Sequence, residues 1–464
     1  MDTLPASRQL TEFRETLYQY LNKNKRADSV FELIDALCST PSAHSAVELS
    51  LSPQFRRGHA ALYKAVAACQ LTNADIAALA KPVLPPPTLH PYWLFGIDVT
   101  AHPRPYAATM SDRTCVYAPT VIKGNKPIAL GHQYSNLVVL PEHGPGRHVP
   151  WVIPLGVERV ISLADKELVG AAQLRAVLTA ADLPFHEALC VEVGDTAYSK
   201  PAYVSANRDL THLVTVVRAR SNRVFYRAGA TAPDLQAFGH PLWYGARFDL
   251  KDRTTWGTPD EVTTLPFVSR RGHTYQVVIQ AWQNCLMRGR IKPTPIPMHH
   301  YPFTLVRVEV CHADGTPVWR HPMWLLVFGE RRHQLTAVDV YQAYRQRYDA
   351  EHFFRFGKQK LLVTTFQTPQ EDHEETWWRL VQVAYLQLWA ARPCAETCPR
   401  PWEKALPVKP SLSPSDVQRD FARLVRQFGT PARAPKPRGK APGWPKGTPR
   451  SRRQRHPVIK KTAT

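Results

Sequence analysis

The 464-residue sequence predicts an α/β protein whose sheet core is interrupted by a β-rich insertion, with a helical segment ahead of it and a basic tail behind. Three observations carry that expectation. Residues 1–88 have helical apolar spacing, and from Tyr92 onward short apolar runs of strand length surround one amphipathic stretch. Residues 216–330 then turn to short alternating runs broken by turn residues.

In the first segment, LTEFRETLYQYL, SVFELIDALC, AALYKAVAAC and NADIAALA place apolar residues on one helical face each. The run KPVLPPP closes it, because consecutive prolines cannot continue a helix. This N-terminal helical domain is a candidate reader of DNA ends, although no recognition helix stands out and a plain packing domain fits as well. Over residues 89–215, YWLFGIDVT, NLVVL and VPWVIPLGV read as strands, LADKELVGAAQLRAVLTAAD as a helix and ALCVEVGD as a buried strand. That order matches the opening of an RNase H-like α/β core. RVFYRAG, YQVVIQAW, TLVRVEVCHADGTPVWRH and MWLLVFG make residues 216–330 a β-rich insertion.

Residues 331–400 return to helix, and 401–428 are expected to add a C-terminal helical segment. Thr368-Pro369-Gln370-Glu371 reads as a capping box, opening the helix through TWWRLVQVAYLQLWAAR. The acids Glu371, Asp372, Glu374 and Glu375 suit its dipole and read as structural, not as metal ligands. Residues 429–464 hold eleven Lys or Arg and no acid among Pro and Gly, a composition that predicts a disordered arm binding phosphate backbone.

Lys plus Arg number 59 against 38 acids, so a net charge of +21 and a pI near 9.8 point to a polyanionic partner, nucleic acid first. No apolar run reaches membrane-spanning length and no amphipathic basic helix is evident, so no membrane partner is expected. The eight cysteines are scattered, as reduced core thiols are, and the Cys394–Cys398 pair lacks a second metal-binding pair. An N-terminus without an apolar h-region gives no secretion signal, and a cytoplasmic protein is expected.

The most informative stretch is AVDVYQAYRQRYDAEHFFRFGKQK, Ala337–Lys360. On one continuous α-helix, at about 100° per residue, Tyr344, Arg347, Glu351 and Lys358 fall on a single face. An acid flanked by Arg, Lys and Tyr suits phosphodiester chemistry, with the acid holding a metal and its neighbours gripping phosphate oxygens. A solvated face with an Arg347–Glu351 pair accounts for the same residues taken singly. Asp98 and Asp195, read as strand-end carboxylates, could converge with a helix carboxylate on one metal site, or could merely form turns.

The Tyr344, Arg347, Glu351, Lys358 spacing resembles the Y-R-E-K signature of IS4-like DDE transposases, and the overall pattern is nearest the IS701-like branch. The resemblance covers residues 90–390 and includes Asp98 in GIDVT and Asp195 in VGDTAYS. It implies that Asp98, Asp195 and Glu351 form the metal-holding triad, while Tyr344, Arg347 and Lys358 contact phosphates near the transposon end. It further implies that Trp324 is an insertion-domain Trp stacking on a flipped base, although a core role is the ordinary one for an aromatic in such a strand. In His102-Pro103-Arg104-Pro105, Arg104 could reach DNA phosphate or simply leave the sheet in a turn. The resemblance implies two Mg²⁺ ions, with Mn²⁺ substituting, a double-stranded DNA substrate comprising transposon ends and target, a homodimer in the synaptic complex and a bacterial, nucleoid-associated setting. The rival expectation is a transposase-derived DNA-binding protein that no longer cuts; a nuclease acting on structured DNA is a third.

Overall fold

The computed structural model describes residues 6–23, 25–118, 127–144, 149–229, 243–269, 272–288, 297–399, 402–403, 409, 411–437, 443, 445–449 and 452–460. They fall into two compact units. The first comprises Met1–Pro86, Val99–Val169 and Asp349–Thr464, and the second Pro87–Asp98 and Gly170–Tyr348.

In the first unit, helices α1 (Ala6–Leu21), α2 (Ala27–Ser39), α4 (His59–Ala68) and α5 (Asn73–Ala80) form where the apolar spacing predicts helix, and the four-residue α3 (Ala46–Leu49) is an addition that the spacing does not announce. They are not free-standing. α10 (Glu371–Ala391) is buried along most of its length, and α1, α2, α4, α5 and α11 (Pro414–Phe428) all pack on it. A buried bidentate pair, Arg14 to Asp35 at 2.6 and 3.0 Å, with Gln387 of α10 donating to Asp35 at 2.9 Å, fixes α1 and α2 on that core. The separate domain expected at residues 1–88 is therefore part of a larger unit, because its helices bury their apolar faces against residues hundreds of positions away.

The same unit holds the end of β1 (Trp93–Pro103) together with the antiparallel strands β2 (Thr114–Tyr117), β3 (Ile128–Val139) and β4 (Ile153–Val160). β2 has only four residues, and its signal was too short to read in the sequence. Gly131 lets β3 approach β1, since a Cβ there would lie 2.1 Å from the His102 carbonyl. α5 begins with a Thr72/Asp75 capping box, and Asn73 exchanges hydrogen bonds with the Val157 backbone of β4 at 3.0 and 3.1 Å.

The expected Thr368–Glu371 capping box does not form. Gln370 is the N-cap without a side-chain bond, and Thr368 Oγ1 accepts from Gln370 N instead. The tail also departs from expectation. Arg56 and Arg57 donate to the Ala432 and Arg433 carbonyls, while His456 N and Ile459 N donate to Ala108 O and Arg113 O, with Ile459 bridging Thr114. Parts of the arm are thus seated on the first unit by backbone groups, which composition does not reveal. Its residues 438–442, 444, 450–451 and 461–464 lie outside the described residues.

In the second unit, the first half of β1 pairs in parallel with β5 (Cys190–Gly194), and β5 in parallel with β6 (Leu213–Ala219). α6 (Lys166–Leu178) precedes β5 in the chain, and α7 (Pro201–Ala206) links β5 to β6. The insertion strands continue this sheet: β12 (Met323–Phe328) pairs antiparallel with β6, followed by β11 (Phe303–Cys311) and β10 (Thr274–Leu286). β9 (Glu261–Val268) and the β7 (Val224–Ala228) and β8 (Tyr244–Asp249) pair both attach to β10. α8 (Ala337–Gln346) opens with a Thr336/Asp339 capping box and packs on β5 and β6.

Candidate active site

Parallel pairing places the second unit's charged residues in one row. β1 and β5 are in register at Phe95↔Glu192 and Gly96↔Val193, so two residues further on Asp98 stands level with Asp195. β5 and β6 pair at Gly194↔Val217, which sets Asp195 level with Arg218. Adjacent strands lie about 4.8 Å apart, and register partners in a parallel pair project to the same face. Two carboxylates and a guanidinium thus share one edge of the unit. Arg218, exposed at the end of β6, escaped the sequence reading because a cation ending an apolar run looks like ordinary strand termination.

Asp98 is not at a strand end, since β1 runs on to Pro103. Its carboxylate accepts from Arg347 Nη1 at 3.3 Å, with about 23% of the side chain exposed. β5 does end at Gly194, and Asp195 follows as the cap of a short 3-10 turn, its Oδ1 accepting from Ala197 N at 2.7 Å. That turn carries Tyr198, which lies so close to Gly194 that a Cβ there would meet the ring at 3.0 Å. Tyr198 meets Tyr203 edge-on at 4.8 Å, and Tyr203 donates to Glu192 Oε1 at 2.7 Å. Glu192 is fully buried, and desolvation raises its pKa to about 7 against the hydrogen bonds from Tyr203 and Thr215.

The signature stretch is two helices. α8 ends at Gln346, Arg347 keeps helical dihedrals but its N–H turns to Tyr344 O and Arg345 O, and α9 runs Tyr348–Gln359. The single continuous helix expected over Ala337–Lys360 is thus interrupted at Arg347. Tyr344 lies in the second unit and is buried, with its pKa raised chiefly by desolvation. The Arg347 guanidinium sits 5.9 Å from the Tyr344 ring centre, so Tyr344 is a support for Arg347 more than an exposed contact.

Glu351 and Lys358 belong to the first unit. Glu351 stands in the first turn of α9, and Lys358 Nζ donates to Thr100 Oγ1 on β1 at 2.6 Å. Asp349, the neighbouring acid, is buried and pairs with His143 Nε2 at 2.7 Å. Among the described residues, no group of three or more His, Cys, Asp or Glu side chains is arranged to hold a metal.

Two expected DNA contacts are placed elsewhere. Trp324 is 1% exposed, in a cluster with Trp256, Trp282 and Phe248 at 5.0–6.0 Å, so no ring face is presented to a base. The alternation of MWLLVF points it into the sheet's packed face. Arg104 is 3% exposed, donating to the Phe366 carbonyl at 2.8 Å and to the Thr368 carbonyl, with Glu374 at 3.5 Å. It serves a buried polar network in which Glu374 also accepts from His132 and Tyr134, each at 2.7 Å. Burial alone would raise the Glu374 pKa, but hydrogen bonds from His102 and His132 hold it well below the carboxylate range. This acid is structural, as its place in the first turn of a helix suggested.

Asp98 on β1 and Asp195 at the end of β5, with Arg347 and Arg218 beside them, are groups of the kind that chemistry on a phosphate uses. A family model described as DDE superfamily endonuclease matches residues 16–294, more than half of the 464. The chain belongs to that family, and DNA is the substrate the family implies. The match includes both aspartates and ends before Glu351. No curated protein matches the chain. None of the helices among the described residues is long and apolar enough to cross a membrane.

Proposed function

We propose that the chain is the transposase of an IS4-like insertion sequence, cutting DNA at the terminal inverted repeats and transferring the freed strand to a target. The observation that carries this reading is Asp98 on β1 and Asp195 directly after the parallel neighbour strand β5, in a member of the DDE endonuclease family. Glu351, set four residues after Arg347 and seven before Lys358, is the third carboxylate of the set.

Hard carboxylate oxygens fit Mg²⁺, with Mn²⁺ substituting. Asp98, Asp195 and Glu351 would hold two such ions. When bound, such ions supply an activated water or 3′-hydroxyl and offset charge on the phosphoryl oxygens, so no protein nucleophile is assigned. The chain's own groups position the substrate. Arg347 orients Asp98, and its five-donor fork can serve a carboxylate and a phosphate oxygen together. Arg218 adds a second guanidinium in the same row, Tyr344 backs Arg347, and Lys358 steadies phosphate near the cut. Two ends must be handled together, so a homodimer is the working form on DNA, associated with the bacterial nucleoid.

The alternative is a transposase-derived DNA-binding protein that does not cut, and it draws on the engagement of Asp98 by Arg347 and of Asp195 by Ala197 N. Incubating labelled terminal-repeat DNA with the protein and Mg²⁺, then sequencing the ends, separates the readings. Cuts at the repeat boundary with joined products support the transposase. Binding without cuts supports the alternative, and cuts indifferent to the repeat indicate a nuclease acting on DNA structure.

A further inference from the structure

A cavity lies within the second unit. Tyr203 and Thr215, which both hydrogen-bond Glu192, line this cavity of about 150 Å³. Asn207, Arg208, His300, Tyr301 and Arg332 are among its other lining residues.

Arg332 is the informative residue. It is half-buried, and its Nε is sealed from solvent with no acceptor among the described residues. Among the described residues its other donors reach neutral oxygens, Gly329 O at 3.2 Å and Asn284 Oδ1 at 3.0 Å. Both of these partners sit on unusual backbone. Gly329 has φ +117°, where a Cβ would lie 2.3 Å from the Leu213 carbonyl, and Asn284 has φ 54° at the register shift in β10. Desolvation lowers the Arg332 pKa, and no ion pair to Arg332 is found among the described residues. Arg208 lies 4.8 Å from the Tyr301 ring centre, likewise with no carboxylate in ion-pairing range among the described residues. Glu330 is the cavity's one acid, and it is exposed.

A guanidinium that is partly desolvated without a counter-charge is costly, and buried charges are ordinarily paired. Two strained or special backbone positions hold one here, with a second guanidinium on the same cavity. We propose that this cavity binds a phosphate-class oxyanion, with Arg332 as its fixed donor and Arg208 as its second cation. The proposal does not depend on the transposase reading.

The test is calorimetric titration of inorganic phosphate into the full-length protein in EDTA, with chloride keeping ionic strength constant. Wild type should bind phosphate, and Arg332→Gln and Arg208→Gln should each weaken binding at least about ten-fold, with Arg332→Lys restoring part of it. Arg208 is exposed, so its variant decides the matter if Arg332→Gln fails to fold. Short duplexes with and without a 5′-phosphate separate the sources: preference for the phosphorylated duplex, lost in the variants, identifies a DNA end, whereas binding of free phosphate alone identifies a small-molecule anion. Absence of phosphate binding in wild type, or undiminished binding in Arg208→Gln, would overturn the proposal. Because no metal is present and cleavage is not read, either result leaves the transposase reading to its own experiment.

Discussion

Replacing Glu192 by Gln should remove a pH dependence of stability that the fold builds in. The side chain is fully buried on β5, three residues before Asp195, and its pKa is raised from 4.5 to about 7 by desolvation, against the opposing bonds from Tyr203 and Thr215. The folded state therefore holds this proton more tightly than the unfolded chain does. Its stabilising contribution is complete below about pH 4.5 and is lost as pH rises through about 7. That rise corresponds to about 3 kcal/mol. Gln stays neutral and keeps an oxygen for the Tyr203 hydroxyl. Urea unfolding near pH 5 should thus give similar free energies for wild type and variant, while at about pH 8 the variant should be the more stable by up to about 3 kcal/mol. Parallel pH profiles for the two proteins would refute the reasoning and mean that Glu192 ionises without cost.

Trp324→Ala should cost about 3–5 kcal/mol of stability by emptying the Trp256–Trp282–Phe248 cluster, and a denaturation series in which it costs under 1 kcal/mol would indicate a peripheral ring. Arg218→Gln should weaken DNA binding and reduce the salt slope by about 0.9 if it contacts one phosphate, read from titrations at several salt concentrations. Truncation after Pro437 removes nine of the tail's eleven cations while keeping the contacts of Ala432 and Arg433, so affinity for all DNA should fall alike with a flatter salt slope and unchanged preference for the terminal repeat. Loss of that preference would make the tail a sequence reader.

The parts of the fold legible in the sequence are those set by local period. The longer helices of residues 6–80, the strands around Asp98 and Asp195 and the alternating runs of the insertion all answer to spacing or alternation that a short window contains. What was not legible depends on distant partners. Nothing near Arg104 announces that Phe366, Thr368 and Glu374 will enclose it, and nothing near Ile459 announces that it bridges Thr114. A heptad-like spacing across Arg347 reads as one helix, because the turn of its N–H toward Tyr344 leaves the dihedrals helical and the residue pattern intact. Arg218 was invisible for another reason: its place beside Asp195 comes from the register between β5 and β6, which a single strand's sequence does not encode.

The central claim, that Asp98, Asp195 and Glu351 act together as metal-holding carboxylates, is tested most directly by measuring Mg²⁺-dependent cleavage of terminal-repeat DNA by Asp98→Asn, Asp195→Asn and Glu351→Gln, alongside binding of the same DNA in EDTA. Each substitution keeps the side chain's shape and removes its charge. The account predicts near wild-type binding for all three, with cleavage reduced by more than about a hundred-fold, since metal ions at the transferring phosphoryl group supply several kcal/mol. Wild-type cleavage by any one of the three would contradict it, and for Glu351→Gln would show that the third carboxylate lies elsewhere in the chain.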